Sequence, residues 1–247
     1  MVHLDPLPGA PGYGGSMDAV LDRARSDALA IAAAGFDGIM VENFGDAPFF
    51  TDDVPKVTIA AMTRAVAEVA TAGLPTGVNV LRNDGLGALA VAAATGAQFI
   101  RINVLSGTMY TDQGPIVGAA ALIARARREL CPETAIMADV FVKHATPPAG
   151  LTLIDATNDL VERAGADAVI VSGAGTGAAT SLDDLATVAN RSHLPVFVGS
   201  GATAATIRDI LAIGYGAIVG SDTKIGGVAT NPVDPERAAA VVRAASE

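Results

Sequence analysis

Tryptophan is absent from this 247-residue chain, cysteine occurs once, and lysine and histidine occur three times each. Each scarcity excludes something. One cysteine, Cys131, permits no internal disulfide and no multi-cysteine zinc or iron–sulfur site. It lies in ELCPET between a predicted helix and strand with no base in view, which assigns it a structural role. Only 17% of residues are charged, and 26 acidic residues against 16 basic ones leave a formal net charge of −10. That balance argues against nucleic acid or an anionic membrane surface as partner, so any basic group that holds an anion must act locally. No apolar run reaches the roughly 18 residues of a membrane span, and the opening MVHLDPLPG lacks the basic and apolar segments of a signal peptide. The expectation is a soluble, cytoplasmic protein.

What is plentiful is apolar: 51% of residues are hydrophobic, enough for a large core. Short apolar or β-branched runs alternate with Ala-rich helical stretches to the C-terminus. The pattern predicts strands at Val2 to Leu4, Gly38 to Glu42, Thr76 to Leu81, Phe99 to Val104, Ala135 to Val142, Ala168 to Ser172, Val196 to Gly199 and Ala217 to Gly220. It predicts helices near Met17 to Ala34, Lys56 to Ala72, Gly85 to Thr95, Pro115 to Leu130, Leu153 to Ala164, Leu182 to Ala189, Ala204 to Ala212 and Pro235 to Ala245. Glycines in AAAGFDG, ATGAQ, RAGADA and AIGYGA stand where helices should stop, and Ser181, Thr203 and Asp234 stand where they should be capped. Eight βα units in one domain of this length fit a closed (β/α)₈ barrel, with a doubly wound open sheet as the alternative.

Barrel active sites form at the C-terminal ends of the strands, and the polar residues gather there. Strand one ends at His3 and Asp5; strand two at Glu42, Asn43 and Asp46; strand three at Asn79, Arg82, Asn83 and Asp84. Strand four carries Arg101 and Asn103, strand five Asp139, Lys143 and His144, and strand eight is followed by Ser221, Asp222 and Lys224. Strand alternation turns Arg101 and Asn103 into the barrel, where Arg101 needs a carboxylate such as Glu42 or Asp139, or a ligand anion. The same period puts Asp139, Phe141 and Lys143 on one face.

The last three strands end in glycine-rich runs, VSGAGTG, VGSGAT and VGSDTKIGG. Backbone N–H groups freed by Gly173, Gly177, Gly199, Gly201 and Gly220, hydroxyls of Thr176, Ser200 and Ser221, and the ammonium of Lys224 suit a phosphate, aided by a helix beginning after VGSG. GAGTGAAT is not a dinucleotide fingerprint, because the next strand ends in Gly199 and Ser200 where an acidic residue is required.

The runs MVHLDPLPGAPGY, VENFGDAPF, GVNVLRND, FIRINV, TDQG, ADVFVKHA, SGAGTG, VGSG and VGSDTK, in this order over nearly the whole chain, resemble the BtpA/SgcQ family, named after a photosystem I biogenesis protein. The resemblance implies a phosphate-binding TIM barrel similar to the ribulose-phosphate-binding group. It also implies that an N-terminal cap of the barrel, usual in the family, is missing or shortened here. For activity it implies two alternatives: an enzyme of sugar or nucleoside metabolism, or a factor in accumulating a membrane protein complex such as photosystem I.

Chemically, Lys143 suits an imine-forming nucleophile, a general acid or an anion clamp. His144 suits an acid–base role or a rim hydrogen bond. Asp5, Glu42, Asp84 and Asp139 suit general bases, or ligands for Mg²⁺ beside a phosphate, although nothing in the sequence requires a cofactor. A zinc hydrolase is disfavoured by the lack of paired histidines at strand ends, and His193 reads as structural, on the opposite face. The expected catalytic set is Asp5, Glu42, Arg101, Asp139, Lys143 and His144, with His3, Asn43, Asn79, Asp84 and Asn103 binding substrate. Ala-rich outer helices are compatible with a homo-oligomer.

Overall fold

The computed structural model describes residues 1–173, 175 and 179–246. Among them, eight parallel strands form one sheet: β1 (Val2–His3), β2 (Ile39–Glu42), β3 (Thr76–Asn79), β4 (Phe99–Ile102), β7 (Ala135–Asp139), β9 (Ala168–Val171), β10 (Val196–Val198) and β11 (Gly216–Ala217), neighbours in that order. The Met1 amine donates to Val219 O at 3.0 Å, so the first strand closes on the segment following the last. Helices α1 (Met17–Ala34), α2 (Lys56–Ala70), α3 (Gly85–Thr95), α4 (Ala120–Leu130), α5 (Leu153–Asp159), α6 (Leu182–Arg191), α7 (Ile207–Leu211) and α8 (Pro235–Ser246) follow the strands in turn. This is the (β/α)₈ barrel that the alternation predicts.

Local chemistry sets most boundaries. Ser16 Oγ accepts from Ala19 N at the start of α1, Ser181 Oγ from Asp184 N at α6, and Asp234 Oδ1 from Glu236 N at α8. Gly35 and Gly96 close α1 and α3 at φ 91° and 74°. Two expectations fail around the loops after the fourth and fifth strands. The helix expected from Pro115 begins at Ala120, because TMYT and GPIV pair as an antiparallel hairpin, β5 (Thr108–Thr111) and β6 (Gly114–Val117). Thr111 Oγ1 donates to Gly114 O and accepts from Gln113 N, which stabilises the turn. The fifth barrel strand stops at Asp139 instead of Val142; β8 (Ala145–Thr146) then joins the hairpin as a third strand against β5.

Period-two alternation sorts the barrel strands. Ile39, Val41, Val78, Ile100, Ile102, Ile136, Val169 and Val171 belong to one buried cluster with the inner faces of the helices, including Val20, Ala24, Ala28 and Ile31 of α1. Met40, Met137, Ala168 and Ile170, with Phe99, Phe197 and Ile218, form a separate apolar cluster that floors the barrel. Gly77 makes room there: a Cβ would fall 2.1 Å from the Phe99 ring. Gly77→Ala is therefore expected to lower unfolding free energy by about 1–3 kcal/mol through overpacking, read by urea denaturation. Pairing it with Phe99→Leu should restore part of the loss; an unchanged midpoint for the single variant would refute this packing.

Candidate active site

One residue further along each inward row, the barrel turns from apolar to polar or charged. Met40 gives way to Glu42, Gly77 to Asn79, Phe99 to Arg101 and Met137 to Asp139. Arg101 and Asp139, with side chains 1% and 0% exposed, form a forked pair: Nε donates to Oδ2 at 2.9 Å and Nη2 to Oδ1 at 2.8 Å. Ser172 Oγ donates to Asp139 Oδ1 at 2.8 Å. Burial alone would depress the Arg101 guanidinium, but Asp139 outweighs it and holds the pKa above its ordinary value. Gly199 belongs to this cluster, since a Cβ there would come within 2.7 Å of Ser172 Oγ and 3.0 Å of Arg101 Nη2. Asp139 is thus committed to Arg101, which removes it as the inward general base.

Glu42 differs. It is 1% exposed, yet its carboxylate accepts no hydrogen bond among the described residues; the His3 ring lies beside it, with Nε2 3.9 Å from Oε1. Burial would raise its pKa, but Lys143, His3, Arg101 and Arg82 together offset that and hold it below the usual carboxylate value. Lys143, expected on the strand face, instead sits in the turn between β7 and β8, where Arg82 Nη2 donates to its carbonyl. Val140 and Val142 of that turn are buried; Val142 packs with Val104, Met109 and Ile116 beneath the hairpin. The Lys143 ammonium makes neither a hydrogen bond nor an ion pair among the described residues. Its pKa is lowered by burial first, then by Arg101 and Arg82, with Glu42 and Asp139 opposing. His144, at φ 58°, turns its ring toward Gly175, and burial with Lys143 lowers its pKa.

Glu42 and Lys143 line two adjoining spaces. An outer cleft of ≈ 360 Å³ is bounded by Phe44, Phe49, Arg82, Asp112, Gln113 and His144, so the TDQG turn of the hairpin forms one wall. An inner cavity of ≈ 30 Å³, about one water in size, is bounded by His3, Arg101, Gly199, Ser200, Gly201, Gly220 and Ser221. Inward carboxylate, cations and glycine-rich strand ends therefore meet at one place.

Other expected residues lie elsewhere. Lys224 is fully buried and donates to Asp27 Oδ2 at 2.9 Å, while Asp27 Oδ1 accepts from Val233 N at 2.7 Å; it is a structural lysine instead of a phosphate ligand. Asp84 caps α3 by accepting from Gly87 N and also accepts from Val54 N, so it is not a substrate ligand. Asn43 joins Leu81 N to Asp46, and Asn79 donates to Arg101 O and to Asn103 Oδ1. These three asparagines support the strand ends from within. Asp5 is half-exposed and meets Arg23 at 3.7 Å, outside both spaces. Gly173 is buried after β9, and Thr176 and Gly177 lie outside the described residues. The helix expected after VGSG shrinks to Ile207–Leu211, Thr203 does not cap it, and Asp222 Oδ2 already takes the Ala204 N–H. Asp5, Asp84 and Asp139 are each engaged apart from Glu42, and among the described residues no three His, Cys, Asp or Glu side chains converge.

Two residues gain weight. Arg82 was visible at the end of the third strand, but its hold on the Lys143 segment was not. Asp27 had a signal: it is an acid on the buried face of α1, four residues from Ile31 and three from Ala24.

The molecule is thus a TIM barrel with a charged cavity at the C-terminal ends of its strands. Its fold resembles thiamine phosphate pyrophosphorylase from Pyrococcus furiosus (TM-score 0.59, 15% identity, 92% of this chain and 89% of that one). It also resembles N-(5'-phosphoribosyl)anthranilate isomerase from the same organism (TM-score 0.57, 17% identity, 89% and 92%). In sequence, the BtpA family profile matches residues 1–247. Photosystem I biogenesis protein BtpA of Synechocystis sp. is 45% identical over 249 residues, covering 100% of this chain and 87% of that protein. A Thermococcus kodakarensis protein is also 45% identical, over 100% of this chain and 94% of its own length. The chain belongs to the BtpA family. Among the described residues, no helix is long and apolar enough to cross a membrane.

Two measurements probe this arrangement. His3 Nδ1 lies 2.8 Å from Ala229 O, its ring stacks on Phe44, and burial lowers its pKa from 6.5 to about 4. Below pH 6.5 the unfolded chain takes up a proton that folded His3 refuses. Stability should therefore fall as pH drops from 6.5 toward 4, by up to about 3 kcal/mol from this residue. Thermal melts of His3→Gln should show a shallower slope between about pH 5 and 6.5; an unchanged slope would contradict the assignment. For the Asp27–Lys224 pair, Asp27→Ala should cost about 3–5 kcal/mol in chemical denaturation, and Asp27→Leu with Lys224→Met clearly less. Equal losses would show that the pair's charges are not what the fold balances.

Proposed function

We propose that this protein is an enzyme that acts on a phosphorylated sugar or nucleotide-type substrate at the C-terminal face of its barrel, by lyase, isomerase or glycosyl-transfer chemistry. The observation that carries the reading is the pair Glu42 and Lys143, both without hydrogen-bond partners among the described residues and both lining the two adjoining spaces. A scaffold gains nothing from a buried carboxylate with no donor; such a group is costly unless a ligand completes it. The anion rests on the backbone of Gly199 to Gly201 and Gly220 to Ser221 at the mouth of the inner cavity, with the remainder in the outer cleft. Arg101 and Lys143 supply positive potential there. Glu42 moves protons between oxygen and carbon, Lys143 is its acid or nucleophilic counterpart, and His144 closes the rim.

Inorganic phosphate, dihydroxyacetone phosphate and ribose 5-phosphate are the first probes. Saturation at about one hundred times Kd should stabilise the fold by about 2.7 kcal/mol, a rise in Tm of roughly 5–10 °C for a chain of this size. Lys143→Ala should abolish the rise while folding normally. If none of a broad panel of phosphorylated compounds moves Tm, the reading loses its support.

The relative named as a photosystem I biogenesis protein favours a second reading, an assembly factor without catalysis. It requires that partners be retained in a pull-down after Lys143→Ala and Glu42→Gln, which the enzyme reading does not.

A further inference from the structure

We propose that Lys143 forms an imine with the carbonyl carbon of the substrate and that Glu42 carries the proton in both directions. This rests on the reading above and narrows its substrate to a phosphorylated compound with a free aldehyde or ketone.

Three features converge on it. The ammonium of Lys143 is uncommitted among the described residues, whereas Lys224 is locked to Asp27. The Lys143 segment is fixed: Arg82 holds its carbonyl, Val140 and Val142 anchor the turn, and β8 binds the hairpin immediately after His144. An anion clamp tolerates a floppy lysine; a nucleophile must be positioned. Finally, the carboxylate that faces Lys143 is itself bare. Asp139, the other acid of this layer, is engaged by Arg101 and Ser172 and makes no ion pair with the ammonium. Partial burial of the half-buried Lys143, with two arginines nearby, favours the uncharged amine.

The step balances without an added reagent. Lys143 ammonium passes a proton to the Glu42 carboxylate, giving a neutral amine and a carboxylic acid. The amine nitrogen attacks the carbonyl carbon, a C–N bond forms, and a nitrogen proton moves to the former carbonyl oxygen to give a neutral carbinolamine. Glu42 returns its proton to that hydroxyl, the C–O bond breaks and water leaves. The products are a protonated imine on Lys143 and an ionised Glu42, so ammonium plus carbonyl has become iminium plus water. The iminium is then an electron sink for breaking or forming the adjacent carbon bond.

Borohydride trapping tests this on the full chain. The protein is incubated with dihydroxyacetone phosphate or ribose 5-phosphate, reduced with sodium borohydride, digested and mapped by mass spectrometry. The chain has only three lysines, Lys56, Lys143 and Lys224, and with the Met1 amine these are the four primary amines that the map must tell apart. The expected result is a substrate- and borohydride-dependent secondary amine on Lys143 alone, absent in Lys143→Arg. Glu42→Gln should trap at least about 10-fold more slowly. Far-ultraviolet circular dichroism confirms that both variants are folded, and the wild-type map stands without them. Tm shifts by the same compounds with no adduct on Lys143 would overturn the imine and leave the phosphate reading standing. An adduct confined to exposed Lys56 would also overturn it, as surface glycation. Neither shift nor adduct would bring down both.

Discussion

A guanidinium removed from water inside a barrel has to be matched, and the forked contact between Arg101 and Asp139 is that match. It spans neighbouring strands β4 and β7, with Ser172 of the next strand completing the carboxylate and Gly199 of the one after leaving the space. Three consecutive strand ends are thereby linked at the level where the apolar floor ends. The consequence for chemistry is indirect but decisive. With Asp139 satisfied, Glu42 becomes the one acid of this layer that still lacks a donor among the described residues, and Lys143, Arg101 and Arg82 around it favour its ionised form.

A second set of charges secures the opposite side of the ring. Asp27 on α1 holds Lys224 and the Val233 N–H, while Arg23 bridges Asp27 and Asp5. This chain of pairs fastens α1 to the segment between β11 and α8, near the place where the first strand closes on the last. Lys224 and Lys143 are both near strand ends and look alike in sequence. Their surroundings divide them: one ammonium meets a carboxylate at 2.9 Å, the other faces a cavity.

The hairpin of β5 and β6 connects fold to site. It occupies the loop after the fourth strand, receives β8 from the loop after the fifth, and brings Asp112 and Gln113 to the wall of the outer cleft. The segment holding Lys143 and His144 is therefore shaped by pairing with a distant element rather than by continuation of its own strand. A strand that kept alternating through Val142 would also point Lys143 inward, so the expected residue was right in direction while its supporting geometry was different.

The sequence alone determined the barrel, because eight alternations of period two and period 3.6 are local properties of the chain and parallel strands leave few ways to close. It also brought the polar residues to one end of that barrel. It could not separate Lys143 from Lys224, distinguish Glu42 from Asp139, or foresee that PIVGA continues a hairpin instead of opening a helix. Those outcomes depend on which opposite charge or which partner strand arrives from far along the chain: Asp27 lies 197 residues from Lys224 and Asp139 lies 38 from Arg101. Pairing across such separations is decided by tertiary packing, which alone fixes the few-ångström distances on which burial of a charge depends.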